Sequence, residues 1–265
     1  MWFQNYPGLE VALLPFEDNV FYVLLRNGEA LVVDPPSASS VADLLRERKA
    51  KLCAILITHG DGDHIEGVGE LVRDSGAVVY GPEEMRVDFN FQAMRDNQVL
   101  PWQGLSIRAL DTKGHRPTHL AFYLSEPAPG LLFSGDALFA AGCGRIFSNP
   151  PEWMFASLQK LAALPPETHL YCGHDYLEGN LLFGLSVEPD HAAMKHRLDD
   201  VRARHRAGQA TLPSTLALEK ETNPFLRVSN VAAFAALRRK KDGFGSFISV
   251  HSHIRMNETG GAKRK

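Results

Sequence analysis

One short segment of this chain concentrates side chains that bind divalent metal ions. Residues 58–64 read Thr-His-Gly-Asp-Gly-Asp-His, which places His59, Asp61, Asp63 and His64 close together. Imidazole and carboxylate groups are the ligands that borderline and hard divalent ions select. The intervening glycines would let a tight loop wrap around an ion without steric conflict. A solvated acidic turn could explain the two aspartates alone, but the flanking histidines favour a metal site.

Three further candidate ligands, His115, Asp136 and His174, stand far apart in the chain but in one kind of setting. Each follows an apolar segment and lies directly after a glycine. Taken singly, such a histidine is more often a surface or hydrogen-bonded residue, and such an aspartate often caps a turn. The repetition of the setting favours a shared site at which these loops meet.

Short strands are the elements expected to position these ligands. Apolar runs bounded by turn-forming residues predict strands at 11–16, 20–25, 30–33, 52–57, 77–80, 106–110, 120–124, 131–134 and 169–172. Helical spacing of apolar residues predicts helices at 39–48, 68–73, 152–163, 189–207 and 231–241. Strand patterns stop near residue 176. We therefore predict a catalytic domain over 1–175, an α-helical substrate-binding domain over 176–250 and a disordered tail over 251–265.

The composition of the chain limits its possible functions. The 265 residues carry a formal net charge of -3, so nucleic acid is not an expected partner. No apolar run reaches the roughly 18 residues that a membrane helix needs, and the N-terminus lacks the basic and apolar regions of a signal peptide. Three cysteines, an odd number, favour a reducing compartment. We therefore expect a cytoplasmic protein without a membrane partner, and we also expect a monomer.

The ligand pattern resembles the signature of the metallo-β-lactamase superfamily, T-H-x-H-x-D-H followed by separate His, Asp and His ligands. Other segments are similar to one branch of it, the hydroxyacylglutathione hydrolases or glyoxalase II enzymes. They are residues 17–19, 33–35 and 187–189 and, more specifically, GCGR (142–145), YCGHDY (171–176) and NPFLRV (223–228). The similarity runs from about residue 10 to about residue 244.

This resemblance implies an α/β fold, the αββα sandwich of the metallo-β-lactamases, with a C-terminal α-helical domain. It implies hydrolysis of the thioester S-D-lactoylglutathione to glutathione and D-lactate, a step of methylglyoxal detoxification. It also implies two divalent metal ions (zinc, iron or manganese) as cofactors. One ion would be held by His59, residue 61 and His115, and the other by Asp63, His64 and His174, with Asp136 between them.

Position 61 departs from the family pattern, because the family has histidine where this chain has Asp61. In one interpretation Asp61 binds the first ion through a carboxylate oxygen, like the carboxylate found there in the flavodiiron branch of the superfamily. In the other, the shorter side chain does not reach, and the first site is weak or empty. We favour the first, since Gly60 and Gly62 let the backbone move inward. A carboxylate is a harder donor than imidazole, which shifts the preference from zinc toward iron or manganese.

The resemblance also assigns residues to the substrate glutathione, namely Arg145, Tyr176, Arg238 and Lys241. Cations suit the two carboxylates of glutathione, and positions 238 and 241 share one helix face. A solvated helix end, where basic residues favour the helix dipole, is the alternative for those two. Phe147 stands where some family members have a glutathione-binding tyrosine.

The expected catalytic residues are Asp63 and Asp136, and Asp63 would orient the attacking water as well as bind metal. No serine or cysteine nucleophile is needed when metal ions activate water. Cys143 and Cys172 are therefore expected to be buried packing residues. His119 is expected to support the site or to pack beside it.

Three other functions fit parts of the pattern. An iron-dependent dioxygenase acting on glutathione persulfide would keep the fold and use one metal, but His64 and His174 favour two. A relative that binds glutathione conjugates with a weakened first metal site has only Asp61 in its favour. A relative that processes nucleic acid is disfavoured by the net charge of -3.

Overall fold

The computed structural model describes residues 1–244, and these residues form four layers in the order helices, sheet, sheet, helices. The αββα layering predicted from the sequence is therefore confirmed. In this part of the chain, no helix combines the length and the apolar character required to cross a membrane.

The first sheet places its strands in chain order. They are β1 (Trp2–Tyr6), β2 (Leu9–Phe16), β3 (Asn19–Arg26), β4 (Glu29–Val33), β5 (Lys51–Leu56), β6 (Val78–Pro82) and β7 (Gln92–Met94). The strands from β1 to β4 are antiparallel, and those from β4 to β7 are parallel. Parallel neighbours need crossover connections, and helices α1 (Ala38–Arg48), α2 (Gly62–Ile65) and α3 (Val68–Ser75) lie in two of them. The ends of β4 and β5 thus meet at one edge of the sheet.

The second sheet has the order β15-β14-β11-β10-β9-β8. Its strands are β8 (Val99–Trp102), β9 (Leu105–Asp111), β10 (Leu120–Leu124), β11 (Leu131–Gly135), β14 (His169–Cys172) and β15 (Ser214–Thr215), and a separate hairpin contains β12 (Leu138–Phe139) and β13 (Gly142–Cys143). The helices are α4 (Pro151–Ala162), α5 (Leu177–Val187), α6 (Ala192–Arg206), α7 (Leu216–Thr222), α8 (Pro224–Arg227) and α9 (Val231–Asp242). Strands β11 and β14 are parallel, so their carboxyl ends also meet at one edge.

Three apolar cores hold the layers together. Val41 and Leu44 of α1 are fully buried against the outer face of the first sheet. Leu24 and Phe122 belong to the core between the two sheets, and Leu158 of α4 belongs to the core that covers the second sheet. Burial of apolar surface is the dominant favourable term in folding. The polar loops at the strand ends are thereby fixed relative to one another.

A buried polar network ties the C-terminal helices to the hairpin of β12 and β13. The Glu219 carboxylate accepts a hydrogen bond from the Ala141 amide at 2.6 Å and another from Arg197 at 2.5 Å. The Asn223 side chain donates to the Gly142 carbonyl at 2.9 Å. Glu219 and Asn223 are fully buried, so these contacts take place in a low dielectric.

Most strands and helices lie within a few residues of their predicted positions, but several elements were missed. The edge strands β1, β7 and β8 are short and partly polar, so they lack a clear alternating pattern. Helix α5 was missed because apolar residues surround it, which removes the helical periodicity. The expectation that strands stop after residue 176 is wrong, because β15 pairs with β14.

The domain boundary at residue 175 stays a prediction. The C-terminal region does contain mainly helices as far as residue 244. The last residues of the predicted helical domain, 245–250, and the predicted disordered tail, 251–265, lie outside the described residues.

Candidate metal centre

The seven candidate metal ligands converge at one edge of the sandwich, where strands of both sheets end. The loop after β5 and the short helix α2 carry four of them, and the other three follow β9, β11 and β14. Because the sandwich brings these strand ends together, residues far apart in the chain become neighbours: His59, Asp61, Asp63, His64, His115, Asp136 and His174.

His59, Asp61 and His115 form the first donor set. The Oδ2 atom of Asp61 lies 3.6 Å from the Nε2 atom of His59 and 3.6 Å from that of His115. Two ligand atoms at about 2.0–2.2 Å from one ion are roughly 3.3–3.6 Å apart when the angle between them is near tetrahedral. These separations therefore match the edges of a coordination site, and the Asp61 side chain does reach the two histidines.

Asp63, His64 and His174 form the second donor set. The Oδ2 atom of Asp63 lies 3.6 Å from His64 Nε2 and 3.5 Å from His174 Nε2. Both histidines are buried, whereas the Asp63 side chain is 51% exposed. This set can therefore hold an ion that faces the solvent on one side.

Asp136 lies between the two donor sets. Its Oδ2 atom is 3.6 Å from His115 Nε2 and 3.4 Å from His174 Nε2, and its Oδ1 atom is 3.5 Å from His64 Nε2. Burial would raise the pKa of Asp136, but electrostatic interactions with His174 and His64 hold that pKa well below its usual range. The carboxylate is therefore anionic and is placed to be shared by two ions.

Several buried donor atoms at this centre have no hydrogen-bond partner among residues 1–244. They are the Nε2 atoms of His59, His64 and His115 and the Oδ1 atom of Asp136. Buried polar atoms without partners are costly and uncommon in folded proteins. Lone pairs that point at one another in this way fit metal ions, which accept them without a proton.

Asp34 anchors one histidine of each donor set from the opposite side of the ring. His64 Nδ1 donates to the Asp34 carboxylate at 3.1 Å, and Thr58 donates to it from both its amide and its hydroxyl at 2.7 Å. His59 Nδ1 in turn donates to the Thr58 hydroxyl at 3.0 Å. Hydrogen bonds of this kind fix the imidazole tautomer and leave Nε2 free to bind metal.

The other two histidines are anchored by backbone carbonyls. His115 Nδ1 donates to the carbonyl of Arg145 at 3.0 Å, and His174 Nδ1 donates to the carbonyl of Asp18 at 3.1 Å. The Asn19 side chain donates to the carbonyl of Asp63 at 3.0 Å and to its carboxylate at 3.2 Å. All four histidine ligands therefore present Nε2 to the centre.

Sequence reasoning gave no role to three of these anchors, Asp18, Asn19 and Asp34. Segments 17–19 and 33–35 are similar to the family, but the similarity alone indicates no role for them. Both place a carboxylate or amide at a strand end. Arg116 was also missed. Its guanidinium donates to Asp61 Oδ2 from Nε at 2.9 Å and from Nη2 at 2.7 Å.

The protonation of Asp61 follows from its neighbours. Burial would raise the pKa of its carboxyl group, but the nearby imidazoles of His115 and His59 and the hydrogen bonds from Arg116 hold the pKa well below its usual range. Asp61 is therefore a carboxylate at neutral pH, and its anionic oxygen faces His59 and His115.

Two glycines of the family-like segments are required by close packing at the centre. A Cβ atom on Gly173 would lie 2.4 Å from Asp136 Oδ1, and one on Gly144 would lie 1.9 Å from the Asp136 carbonyl. Neither distance is possible for a real side chain. The glycines of YCGHDY and GCGR thus let two loops close around Asp136.

Of the predicted substrate-binding residues, Tyr176 lies beside the second donor set, Arg238 and Lys241 lie on α9, and Arg145 follows β13. The Tyr176 ring stacks on His174 with centroids 4.9 Å apart, and its hydroxyl donates to Asp18 at 2.9 Å. The Arg145 side chain is exposed, whereas Arg238 is buried and donates to the Cys143 carbonyl at 2.9 Å.

Asp242 connects two of these cations. Arg238 donates to its carboxylate from Nη2 at 2.9 Å, and Arg145 Nε lies 3.6 Å from the same oxygen. Lys241 is buried on the same helix. Burial first, and then the neighbouring charge of Arg238, lower the pKa of Lys241 to about 8.

Cys143, Cys172 and His119 occupy the supporting positions expected of them. Both cysteines are buried, and burial raises the pKa of each thiol, so neither is a nucleophile at neutral pH. His119 is buried, and its Nε2 atom accepts a hydrogen bond from the Asp136 amide at 3.2 Å. It supports Asp136 from behind the centre.

Comparison with protein families divides the chain into two matched regions. Residues 15–174 match the model of the metallo-beta-lactamase superfamily, and residues 175–244 match the model described as hydroxyacylglutathione hydrolase C-terminus. The metallo-β-lactamase-type sandwich with a C-terminal helical region is thereby confirmed.

Curated relatives match almost the whole chain. The hydroxyacylglutathione hydrolase of Methylobacillus flagellatus is 42% identical over 247 residues, which cover 92% of this chain and 96% of that protein. That of Alkalilimnicola ehrlichii is 43% identical over 254 residues, which cover 88% and 98%.

Solved structures share the fold. ETHE1 from Myxococcus xanthus superposes with a TM-score of 0.68 at 21% identity and covers 95% of this chain and 99% of its own. TTHA1623, solved in a di-iron-bound form, superposes with a TM-score of 0.58 at 25% identity and covers 82% of this chain and 99% of its own.

Proposed function

The chain belongs to the hydroxyacylglutathione hydrolase family of the metallo-β-lactamase superfamily, and we propose that it hydrolyses S-D-lactoylglutathione to glutathione and D-lactate. The observation that carries the proposal is the meeting of unpartnered imidazole nitrogens with three carboxylates at one edge of the sandwich. Such a site suits a reaction in which water is the nucleophile, and hydrolysis of a thioester is of that type.

The two donor sets and Asp136 would hold two divalent ions. When bound, such ions supply Lewis acidity toward a carbonyl oxygen and lower the pKa of water to near 7. His59, Asp61 and His115 would hold one ion, and Asp63, His64 and His174 the other. Asp136 would be shared by both, in keeping with its separations of 3.6 and 3.4 Å from His115 and His174.

The chain itself orients the reactants. Asn19 holds the half-exposed Asp63 carboxylate, which would accept a hydrogen bond from the attacking water and direct its lone pair at the thioester carbon. The new carbon–oxygen bond forms D-lactate, the protons of the water pass to solvent by way of the half-exposed Asp63 carboxylate, and the carbon–sulfur bond breaks with its electron pair on sulfur. A thiol has a pKa near 8.5. The thiolate of glutathione is therefore a good leaving group, and no general acid is required.

The glutathione part of the substrate would bind next to the second donor set. Tyr176 stacks on His174 of that set, whereas the exposed Arg145 lies beside Asp242, and its carbonyl is bonded to His115 of the first set. Arg238 and Lys241 on α9 would supply further positive charge for the two substrate carboxylates. Because Arg238 is buried and bonded to the Cys143 carbonyl, part of its role would be to hold the hairpin in place.

We further propose that iron or manganese is well represented in the first site. An aspartate oxygen is a harder donor than the family's imidazole, and harder ions favour oxygen ligands. TTHA1623, which shares the fold and was solved with two iron ions, shows that a relative of this chain accommodates iron.

Elemental analysis combined with a hydrolysis assay tests the proposal. We expect about two metal ions per chain, lactoylglutathione hydrolysis, loss of activity when a chelator removes the ions, and recovery when they are restored. Absence of hydrolysis by the fully loaded protein would refute the proposed function. Oxygen uptake with glutathione persulfide is the control reaction, and we expect none. Cytoplasmic location and a monomeric state stay predictions, which fractionation and size-exclusion chromatography can test.

A further inference from the structure

Arg116 contacts the first donor set in a way that the family resemblance leaves unassigned. Its Nε and Nη2 atoms donate to a single oxygen, Asp61 Oδ2, at 2.9 and 2.7 Å. The same oxygen lies 3.6 Å from the Nε2 atoms of His59 and His115. One carboxylate oxygen thus faces two imidazoles on one side and a guanidinium on the other.

The Asp61 side chain could bind the first turn of helix α2 instead of facing the histidines. It occupies the N-cap position of α2, where an aspartate side chain ordinarily accepts a hydrogen bond from the first turn of the helix. The backbone has the extended conformation of a cap, with φ -73 and ψ 145, but the side chain makes no capping hydrogen bond. Glycines at 60 and 62 make the local backbone permissive. An outside partner is therefore needed to keep the carboxylate turned toward the histidines.

Arg116 is well placed to be that partner because it is held on its other side. Its guanidinium carbon lies 4.1 Å from the ring centroid of Phe147, whose ring also contacts His115 edge to face at 5.4 Å. The Asn149 side chain donates to the carbonyl of Gly114 at 3.0 Å, which fixes the start of the loop that carries His115 and Arg116. This loop therefore supplies both His115, a member of the first donor set, and Arg116, the cation that contacts Asp61 of the same set.

Charge gives a second reason for this pairing. Asp61 adds a third carboxylate to those of Asp63 and Asp136, where a histidine would have been neutral. The positive charge of Arg116 offsets this addition. A guanidinium is also suited to the task, since its planar set of donors fixes a carboxylate in one orientation and it does not lose its proton.

We propose that Arg116 is a positioning residue that holds Asp61 against His59 and His115, so that a carboxylate serves where the family uses an imidazole. This inference rests on the proposed function, because it concerns one of the two metal sites assigned there. The guanidinium does not itself fill the place of the ion. Within residues 1–244, the Nε2 atoms of His59 and His115 have no hydrogen-bond partner.

Arg116→Leu in the full-length protein tests the proposal. We expect the first ion to bind about 10–100-fold more weakly, the usual cost of losing a group that orients a metal ligand. After dialysis against a chelator, elemental analysis should then give about one ion per chain instead of about two. Arg46→Leu is the matched control, since it breaks an exposed Arg–Asp pair of 2.8 Å on α1 and should leave the metal content unchanged.

The double variant Asp61→His/Arg116→Leu separates positioning from a merely structural role. A neutral imidazole needs no cationic partner, so we expect two ions per chain and a shift toward zinc. The thermal unfolding of each metal-free variant establishes that the chain is folded.

Three results would overturn the inference. They are wild-type metal affinity in Arg116→Leu, a gain of metal in that variant, and a folded double variant that still holds only one ion. Each of these would leave the proposed function standing, because that function is tested separately on the wild-type protein by hydrolysis and by total metal content.

Discussion

The two donor sets of the centre are built from the same kinds of ligand but are supported by different parts of the fold. In the second set, Asn19 holds Asp63 and the Asp18 carbonyl holds His174. Asp18 lies in the turn between β2 and β3, and Asn19 is the first residue of β3. This turn joins two long, buried strands. The second set is therefore supported by the first sheet itself.

The first set depends more on the loop between β9 and β10. This loop carries His115 as a ligand and Arg116 as the partner of Asp61. Asp34 supports both sets, directly through His64 and through Thr58 to His59. We therefore expect a change in the loop between β9 and β10 to affect the first set more than the second.

The largest effect is expected when both sets lose a shared ligand. Asp136→Ala should release both ions and lower kcat/KM by at least about 10³-fold, because metal ions supply several kcal/mol of transition-state stabilisation. Elemental analysis and the hydrolysis assay measure this, with Asp43→Ala on the exposed face of α1 as the control. Retention of one full ion would show that one set binds independently of Asp136.

A shared anchor should have a smaller effect than a shared ligand. Asp34→Ala should weaken metal binding about 10–100-fold at both sites, since it frees His64 directly and His59 through Thr58. Thr58→Val removes only the branch to His59 and should weaken the first site alone. Chelator competition measures both affinities, and equal weakening of the two sites in Thr58→Val would contradict the comparison.

An anchor that serves only the second set should have a smaller effect still. Asn19→Ala removes two hydrogen bonds to Asp63, one to its carbonyl at 3.0 Å and a longer one of 3.2 Å to its half-exposed carboxylate. Such a bond contributes about 0.5–1.5 kcal/mol, so we expect kcat to fall roughly 2- to 12-fold. The metal content of the first site should not change. Steady-state kinetics and elemental analysis on the same preparation test both statements.

The smallest effect is expected from a group that belongs to neither set. Lys241 has a pKa lowered to about 8, so it is charged below that pH and becomes neutral as the pH rises through it. The KM for a glutathione thioester should therefore rise about two- to threefold between pH 7 and 9, since an ion pair that is screened by solvent contributes less than about 1 kcal/mol. Lys241→Arg stays charged and should flatten this dependence. If the pH dependence of KM is the same in Lys241→Arg as in the wild-type protein, Lys241 does not contribute to substrate binding.

The seven candidate ligands could be predicted from the sequence because their residue types are distinctive and each follows a strand. Four of them are also local, within residues 59–64. The anchors could not be found in this way. Asn19 lies 44 residues from Asp63, and Asp34 lies 30 residues from His64. Only the packing of the two sheets brings such pairs together, and neither asparagine nor aspartate at a turn is unusual.

Arg116 could not be identified from the sequence either, although it is adjacent to a candidate ligand. It was passed over because an arginine beside a histidine predicts nothing about where its guanidinium points. Helix α5 was missed because burial on all sides leaves no polar face to mark its period. In both cases the missing information is tertiary contact.

The hairpin held by Glu219 and Asn223 limits how specificity in this protein can be redesigned. Glu219 binds the Ala141 amide, and Asn223 binds the Gly142 carbonyl. The chain then continues to Arg145, whose carbonyl accepts a hydrogen bond from the candidate ligand His115. If only the residues after the predicted boundary were replaced by those of another protein, the hairpin would lose its contacts with Glu219 and Asn223. His115 would then be held less firmly. A segment exchange between relatives would therefore have to include residues 138–145 as well as the C-terminal helices, although these two parts lie on opposite sides of the predicted domain boundary.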